Sequence, residues 1–316
     1  MLKSVICEIL GIEYPVFQGG MAWIADSTLA AAVSEAGGLG LISAVNYGKE
    51  AVREEIRKAR ALTDKPFGVN IMLAAPDAAE IASLVVEEGV KIVTTGAGSP
   101  ARFMDMWKEA GIKVIPVVAS VAYARKMQEL GATAIVAEGA ESGGHIGETH
   151  TMALIPQIVD AVDIPVIAAG GIFDGRGAAA AFMLGACGVQ LGTRFLMARE
   201  CSVHPVYKER LIKASDIGTM VTGRSLQDAV RGLKTPFAKE FAKMEADPSV
   251  SPDEIRAFGT GSLRKAVFDG DLAHGSFLAG EVAGMCQQEE CARDIVLDIV
   301  HGAEKVMKEK SSIYGC

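Results

Sequence analysis

The chain has 316 residues, 50% of them hydrophobic, with 35 glycines and a net charge of −8. That length supports one barrel-sized domain with a large core, and the acidic balance argues against a general nucleic-acid role. The six cysteines (Cys7, Cys187, Cys201, Cys286, Cys291 and Cys316) form no C-x-x-C, which favours reduced thiols in a cytoplasmic protein over a disulfide framework or zinc site, and neither a signal peptide nor a membrane-spanning run is expected.

Apolar runs recur in chain order at 15–19, 38–43, 67–73, 92–96, 113–119, 134–139, 165–171 and 188–195. Segments between them, such as 49–62 and 78–88, carry charges on one face and apolar residues on the other, the pattern of a helix packed on a sheet. Strands alternating with helices imply a parallel α/β sheet, and eight such units imply closure into a (β/α)8 TIM barrel. A doubly wound Rossmann sheet is the rival, but no G-x-G-x-x-G opens a helix after the first strand. Beyond 195 the pattern changes. Residues 200–262 read as helices broken at Pro205, Pro236, Pro248 and Pro252. We take this stretch as a small, mostly helical cap inserted after strand eight. The barrel then comprises 1–199 and 263–316, with an amphipathic helix over about 289–310 packing back on it. A cap over the catalytic face would enclose a ligand cleft.

Chemistry in this fold sits at the C-terminal ends of the strands. The last two runs end in Gly170-Gly171 and in Gly192-Thr193. Small residues with free N–H groups in the loops after strands seven and eight commonly form a phosphate site. The first strand ends in a glycine loop carrying Gly20, Met21 and Ala22, whose backbone can approach a flat ligand; an ordinary tight turn is the competing reading. Asn46 follows strand two. Asn70 is a polar residue in an otherwise apolar strand and needs a partner. Glu138 ends strand six in the same way, with a carboxylate tied to the backbone as its rival reading. Gln190 lies on strand eight. The segment 138–147 places Gly144 and His145 on a glycine-rich loop expected to be mobile, and an imidazole suits proton transfer near neutrality. His145 and His150 share no helical spacing and no H-E-x-x-H is present, so no metal site is expected.

These residues bring a family into view. The chain resembles the FMN-dependent enoyl-acyl-carrier-protein reductases II of bacterial fatty-acid synthesis, relatives of the nitronate monooxygenases in one flavin superfamily. The resemblance is carried by Tyr14-Pro-Val-Phe-Gln-Gly-Gly-Met-Ala-Trp23, Lys65-Pro-Phe-Gly-Val-Asn-Ile-Met72, Ser142-Gly-Gly-His-Ile-Gly147, Ala168-Ala-Gly-Gly-Ile172, Gln190-Leu-Gly-Thr-Arg-Phe195, His204-Pro-Val-Tyr-Lys208 and Gly275-Ser-Phe-Leu-Ala-Gly280. It departs at Ser43-Ala-Val-Asn46, where the reductases have a glycine run.

The resemblance implies FMN held through Met21, Ala22, Asn70, Glu138, Gln190 and the glycines, with its phosphate on Gly170, Gly171, Gly192 and Thr193. It implies NADH or NADPH as hydride source, an acyl carrier protein bearing an enoyl chain as partner, a cytoplasmic homodimer, and His145 as the residue that stabilises or protonates the enolate. Nitronate monooxygenase is the alternative activity, with His145 as base; a non-catalytic phosphate- or flavin-binding barrel is a third reading. Residues 201–245 hold eight Lys/Arg against five Asp/Glu, so Lys208, Arg210 and Lys213 are expected to dock the acidic carrier, with a solvated helix face as the competing reading.

Overall fold

All eight apolar runs become parallel strands, each shorter than the run that announces it except at 92–96. They are β1 (Val16–Gln18), β2 (Gly40–Ser43), β3 (Phe67–Met72), β4 (Ile92–Gly96), β5 (Lys113–Val118), β6 (Ile135–Glu138), β8 (Val166–Ala169) and β9 (Gly188–Leu191). A two-residue strand, β7 (Gly144–His145), lies between the sixth and seventh of these. The sheet order is β1-β9-β8-β6-β5-β4-β3-β2, and a parallel bridge from Phe17 to Leu39 joins its two ends. The fold is a (β/α)8 TIM barrel. The computed structural model describes residues 4–45 and 48–313, with side chains to 310; Asn46 lies outside the described residues.

Two strands end early for a local reason. Gly170 and Gly171 take φ of 91° and 72°, a left-handed conformation that bends the chain out of β8 after Ala169. The run 188–195 stops at Leu191, and Thr193–Leu196 winds into a helix after Gly192. Thr193 and Phe195, expected on the strand, belong to that helix.

The barrel interior is packed at its N-terminal end. Phe17, Leu39, Leu41, Ile115, Val136 and Ile167 cluster there with Ile6, Cys7 and Leu10 of a short helix, Val5–Leu10. That helix plugs the base and leaves the opposite end for a ligand. Outside the barrel, glycines set two close approaches. A Cβ on Gly40 would lie 1.9 Å from the Ala30 carbonyl oxygen, so helix Ser27–Glu35 rests directly on β2. A Cβ on Gly175 would lie 2.2 Å from the Gly302 carbonyl carbon, where helix Gly175–Met183 crosses the closing helix Ala292–Ile313.

Between them runs the cap. Its helices Pro205–Ile212, Pro236–Ala246 and Pro252–Gly259 each start on proline, which has no N–H to leave unsatisfied in a first turn. The expectation of a mostly helical cap missed a hairpin, β10 (Thr219–Thr222) and β11 (Val230–Leu233). Neither four-residue strand is long enough to declare a period of two. The antiparallel order β10-β11-β7 joins this hairpin to the loop after β6. The five described cysteines are free, and no helix among the described residues is long and apolar enough to cross a membrane.

Replacing Gly175 by Ala should lower the melting temperature by several degrees, because overpacking at a backbone contact costs about 1–3 kcal/mol. Gly302→Ala is the control. Its nearest neighbour would be Gly175 Cα at 3.1 Å, and alanine's higher helix propensity offsets part of that crowding. Equal melting temperatures by calorimetry would show that the crossing is looser than described.

Candidate active site at the strand C-termini

A cleft of about 570 Å³ opens at the C-terminal ends of the barrel strands, within the size range of cofactor sites. Strand ends and the loop after β6 form its floor and one wall. Cap residues Gln227, Asp228 and Ala229 and the segment around Leu278 and Gly280 form the other wall. The described residues expected to hold the cofactor or do the chemistry line it: Gly20, Met21, Ala22 and Asn70; Glu138, Gly144 and His145; Gly170, Gly171, Gln190, Gly192 and Thr193.

The floor is built by close backbone approach. A Cβ on Gly20 would meet Asn70 Cγ at 2.2 Å, so only glycine lets the β1 loop pass there. Asn70 Nδ2 donates to Thr94 Oγ1 at 2.9 Å, which fixes the amide in the cleft. Gln190 is buried, and its Oε1 has no hydrogen-bond partner among the described residues. A buried amide oxygen without a donor is costly; it points to a missing ligand group. The N–H groups of Gly170 and Gly171 take no acceptor among the described residues. Thr193 Oγ1 accepts from Gly280 N–H at 2.8 Å, which leaves the hydroxyl hydrogen to donate.

Glu138 ends β6 inside the cleft. Burial pushes its carboxyl from an ordinary 4.5 up to about 7, while the Ser142 hydroxyl pulls the other way. Among the described residues no bond ties this carboxyl to the backbone, which speaks against its rival reading as a backbone clamp. The neighbouring Glu141 does that work instead. Its carboxylate accepts from Thr151 N–H at 3.0 and 2.9 Å and from Thr151 Oγ1 at 2.9 Å. It thereby caps helix Thr151–Val159 from a distance.

The loop carrying His145 is fixed on several sides, contrary to the expected mobile loop. Val230 pairs with His145 and Arg231 with Gly144. A Cβ on Gly143 would lie 2.6 Å from the Ala279 carbonyl carbon. Arg231 is buried, and its guanidinium donates to the Ala140 carbonyl at 3.2 Å and pairs with Glu281 at 3.0 Å. The imidazole itself stays open, with 59% of the side chain exposed and Nε2 3.0 Å from Asp228 Oδ1. Two cleft residues without glycine's freedom, Ala97 and Gln227, take positive φ of 50° and 57°, an outlier class concentrated at ligand sites.

Sequence reading missed Glu141 and Thr151, which meet across a ten-residue loop, and Asp228 and Arg231, each of which acts on a segment far away along the chain. It also misplaced Lys208. That side chain is 7% exposed, with Nζ 2.8 Å from the Ala198 carbonyl and 2.7 Å from Glu289, so it is a structural ion pair rather than a docking charge. Among the described residues no His/Cys/Asp/Glu group could hold a metal ion.

The Glu138 carboxyl generates a pH prediction. The folded, ligand-free chain holds this proton more tightly than the unfolded chain. Its stabilising contribution is therefore complete below 4.5 and lost as pH rises through about 7, at roughly 1.4 kcal/mol per unit of separation. Glu138→Gln cannot ionise. Its melting temperature relative to wild type, both stripped of ligand, should climb between about pH 5 and pH 8; a constant difference would show that the carboxyl is not held up.

Likenesses to known proteins bear on this site. The family model described as nitronate monooxygenase matches residues 3–88 and 82–302. The structure of FabK from Thermotoga maritima superposes with a TM-score of 0.97 at 47% identity, covering 99% of this chain and 100% of that one. A nitroalkane oxidase from Streptomyces ansochromogenes gives 0.86 at 26% identity, covering 98% and 100%. A Mycobacterium tuberculosis protein named (3aS,4S,5R,7aS)-5-hydroxy-7a-methyl-1-oxo-octahydro-1H-indene-4-carboxyl-CoA dehydrogenase is 43% identical over 243 residues, 76% of this chain and 68% of that protein. The chain belongs to the nitronate monooxygenase family, a family of flavin-type oxidoreductases.

Proposed function

We propose that the protein is an FMN-dependent enoyl-thioester reductase, using NADH or NADPH to saturate a 2-enoyl chain on acyl carrier protein, as a cytoplasmic homodimer. The observation that carries this reading is the whole-length likeness to FabK at 47% identity. The cleft fits the cofactor on its own terms. The unpartnered Gln190 Oε1 calls for a donor at the edge of a planar ligand. The unpaired Gly170 and Gly171 N–H groups, with the Thr193 hydroxyl, suit a phosphate. The Gly20 loop and Asn70 would flank the ring system.

FMN, when bound, supplies the hydride relay from nicotinamide to the β-carbon of the enoyl thioester. The chain's own residues do the rest. Asn70 and Gln190 orient the ring edge. Glu138, neutral below about pH 7, can donate a hydrogen bond from the floor. The cap wall excludes water from one side of the cleft. His145 faces the developing enolate and delivers the proton to the α-carbon.

A second reading is favoured by the family model and by the nitroalkane oxidase likeness. In that reading His145 takes a proton from a nitroalkane. The assay that separates them is NADH oxidation by the flavin-loaded protein with and without a 2-enoyl thioester. Stimulation by the thioester, with saturated product, supports the reductase. Oxygen-dependent nitronate consumption without that stimulation would overturn it.

Two variants extend the test. His145→Ala should keep its flavin spectrum and lose thioester turnover by roughly 10²–10⁴-fold; normal turnover at saturating substrate would remove His145 from the chemistry. Thr193→Val combined with Gly171→Val should weaken FMN retention, since Gly171 sits at φ 72° and each lost charge-assisted hydrogen bond costs on the order of 1.5–3 kcal/mol. Unchanged flavin occupancy after dilution would refute the phosphate assignment.

A further inference from the structure

We infer that Asp228, on the cap, is the positioning residue for His145. It holds hydrogen on Nε2, so that Nδ1 is the nitrogen that meets the substrate. The inference rests on the proposed role of His145 as proton donor.

The geometry starts from strand register. Val230 lies opposite His145 in the β11–β7 pair, and Ile146 N–H donates to the Ala229 carbonyl at 3.0 Å. Asp228 lies two residues before Val230, in the turn that leads into β11 and a short way along the chain from the residue opposite His145. That distance is closed by the side chains, with Nε2 3.0 Å from Oδ1. A carboxylate at this distance favours hydrogen on Nε2, and no hydrogen bond holds either ring nitrogen of His145 among the described residues. The nitrogen away from the carboxylate is Nδ1.

The segment that presents Asp228 is built rather than loose. Gln227 is held at φ 57°, and its N–H donates to the Arg224 carbonyl at 3.1 Å. Asp228 N–H donates to the Gly223 carbonyl at 3.0 Å. A Cβ on Gly223 would lie 2.1 Å from the Asp228 carbonyl oxygen, so the turn closes only on glycine. Glu245 of helix Pro236–Ala246 accepts from Gly223 N–H at 2.9 Å and from the Ser225 hydroxyl at 2.7 Å, which anchors the tip. Both members of the pair are more than half exposed, at 59% and 62%. Exposed ion pairs add little to stability, so fold stability does not account for this construction. Orientation does: the imidazole has two nitrogens, and a fixed acceptor on one decides which faces the reaction. In the proton step the Nδ1–H bond of the imidazolium breaks as the α-carbon–H bond forms. The neutral ring left behind keeps its hydrogen on Nε2 against Asp228 and regains a proton from solvent at Nδ1.

The test has two arms. In turnover, Asp228→Ala should lower kcat for the enoyl thioester about 10- to 100-fold, with KM changed far less. Asp228→Glu should recover most of that loss. In a His145→Ala background, Asp228→Ala should cost nothing further. Equal losses in both backgrounds would overturn the inference. In the second arm, ¹⁵N-histidine NMR, with the His145 signals assigned by their absence in His145→Ala, should show the Nε2–H tautomer in the neutral ring. That preference should weaken in Asp228→Ala and return in Asp228→Glu; a tautomer indifferent to residue 228 would refute the pairing. If the wild type fails to reduce any enoyl thioester, the proposed function falls while the NMR arm still decides the role of Asp228.

Discussion

The arrangement of the site depends on one buried cation. Arg231 leaves the cap strand β11 and reaches the Ala140 carbonyl in the loop after β6, Glu281 in the segment before the closing helix, and Thr219 on β10. A guanidinium this buried is tolerable only with its donors used. The three segments it joins are therefore held together as a set. Losing Glu281 would leave a buried charge uncompensated, and losing a neutral acceptor would leave a buried donor unused, so the loop, the cap hairpin and the 279–281 segment are coupled. The strand pairing that places His145 is one consequence of that clasp, and the close passage of Gly143 against Ala279 is another.

The two walls of the cleft follow different physics. On the barrel side, glycines bring the backbone close against fixed neighbours: Gly20 against the Asn70 side chain, Gly139 against Thr151, Gly170 against the Gly139 carbonyl. Such a surface has little freedom to repack and offers N–H groups at fixed positions, which suits a ligand that is always the same. On the cap side the contacts come from side chains, among them Asp228, Leu263, Leu278 and Val282. These can be exchanged without disturbing the strands. A family that keeps one flavin and varies its substrate would be expected to divide its cleft in this way.

The sequence was most readable where local chemistry and global fold agree. Strand ends such as Gly170-Gly171 and Gly192-Thr193 announced themselves because left-handed glycines and small residues are needed there whatever surrounds them. Asn70, Glu138 and Gln190 were visible as polar residues in apolar runs, and all three line the cleft. What escaped was set by distance along the chain. Glu141 caps a helix ten residues on, Arg231 bonds a carbonyl 91 residues back, and Lys208 neutralises Glu289 across the cap. No window of sequence contains both partners of the longer contacts. The hairpin at 219–233 was lost for a different reason: its strands are short and half-exposed, one stops at Gly223 and the other contains Gly232, so proline-bounded helices dominated the local signal.

His145 illustrates how the two sources of information combine. Flanking glycines suggested a residue with little packing, and the side chain is indeed open. The same glycines had suggested a mobile loop, and there the inference failed. Gly143 and Gly144 are small because neighbouring strands approach closely or because φ is positive, 83° at Gly144, not because the segment is free. An exposed side chain on a constrained backbone is a costly arrangement, since ordering entropy is lost without apolar burial in return. It is understandable when the missing burial comes from a substrate that enters between the barrel floor and the cap.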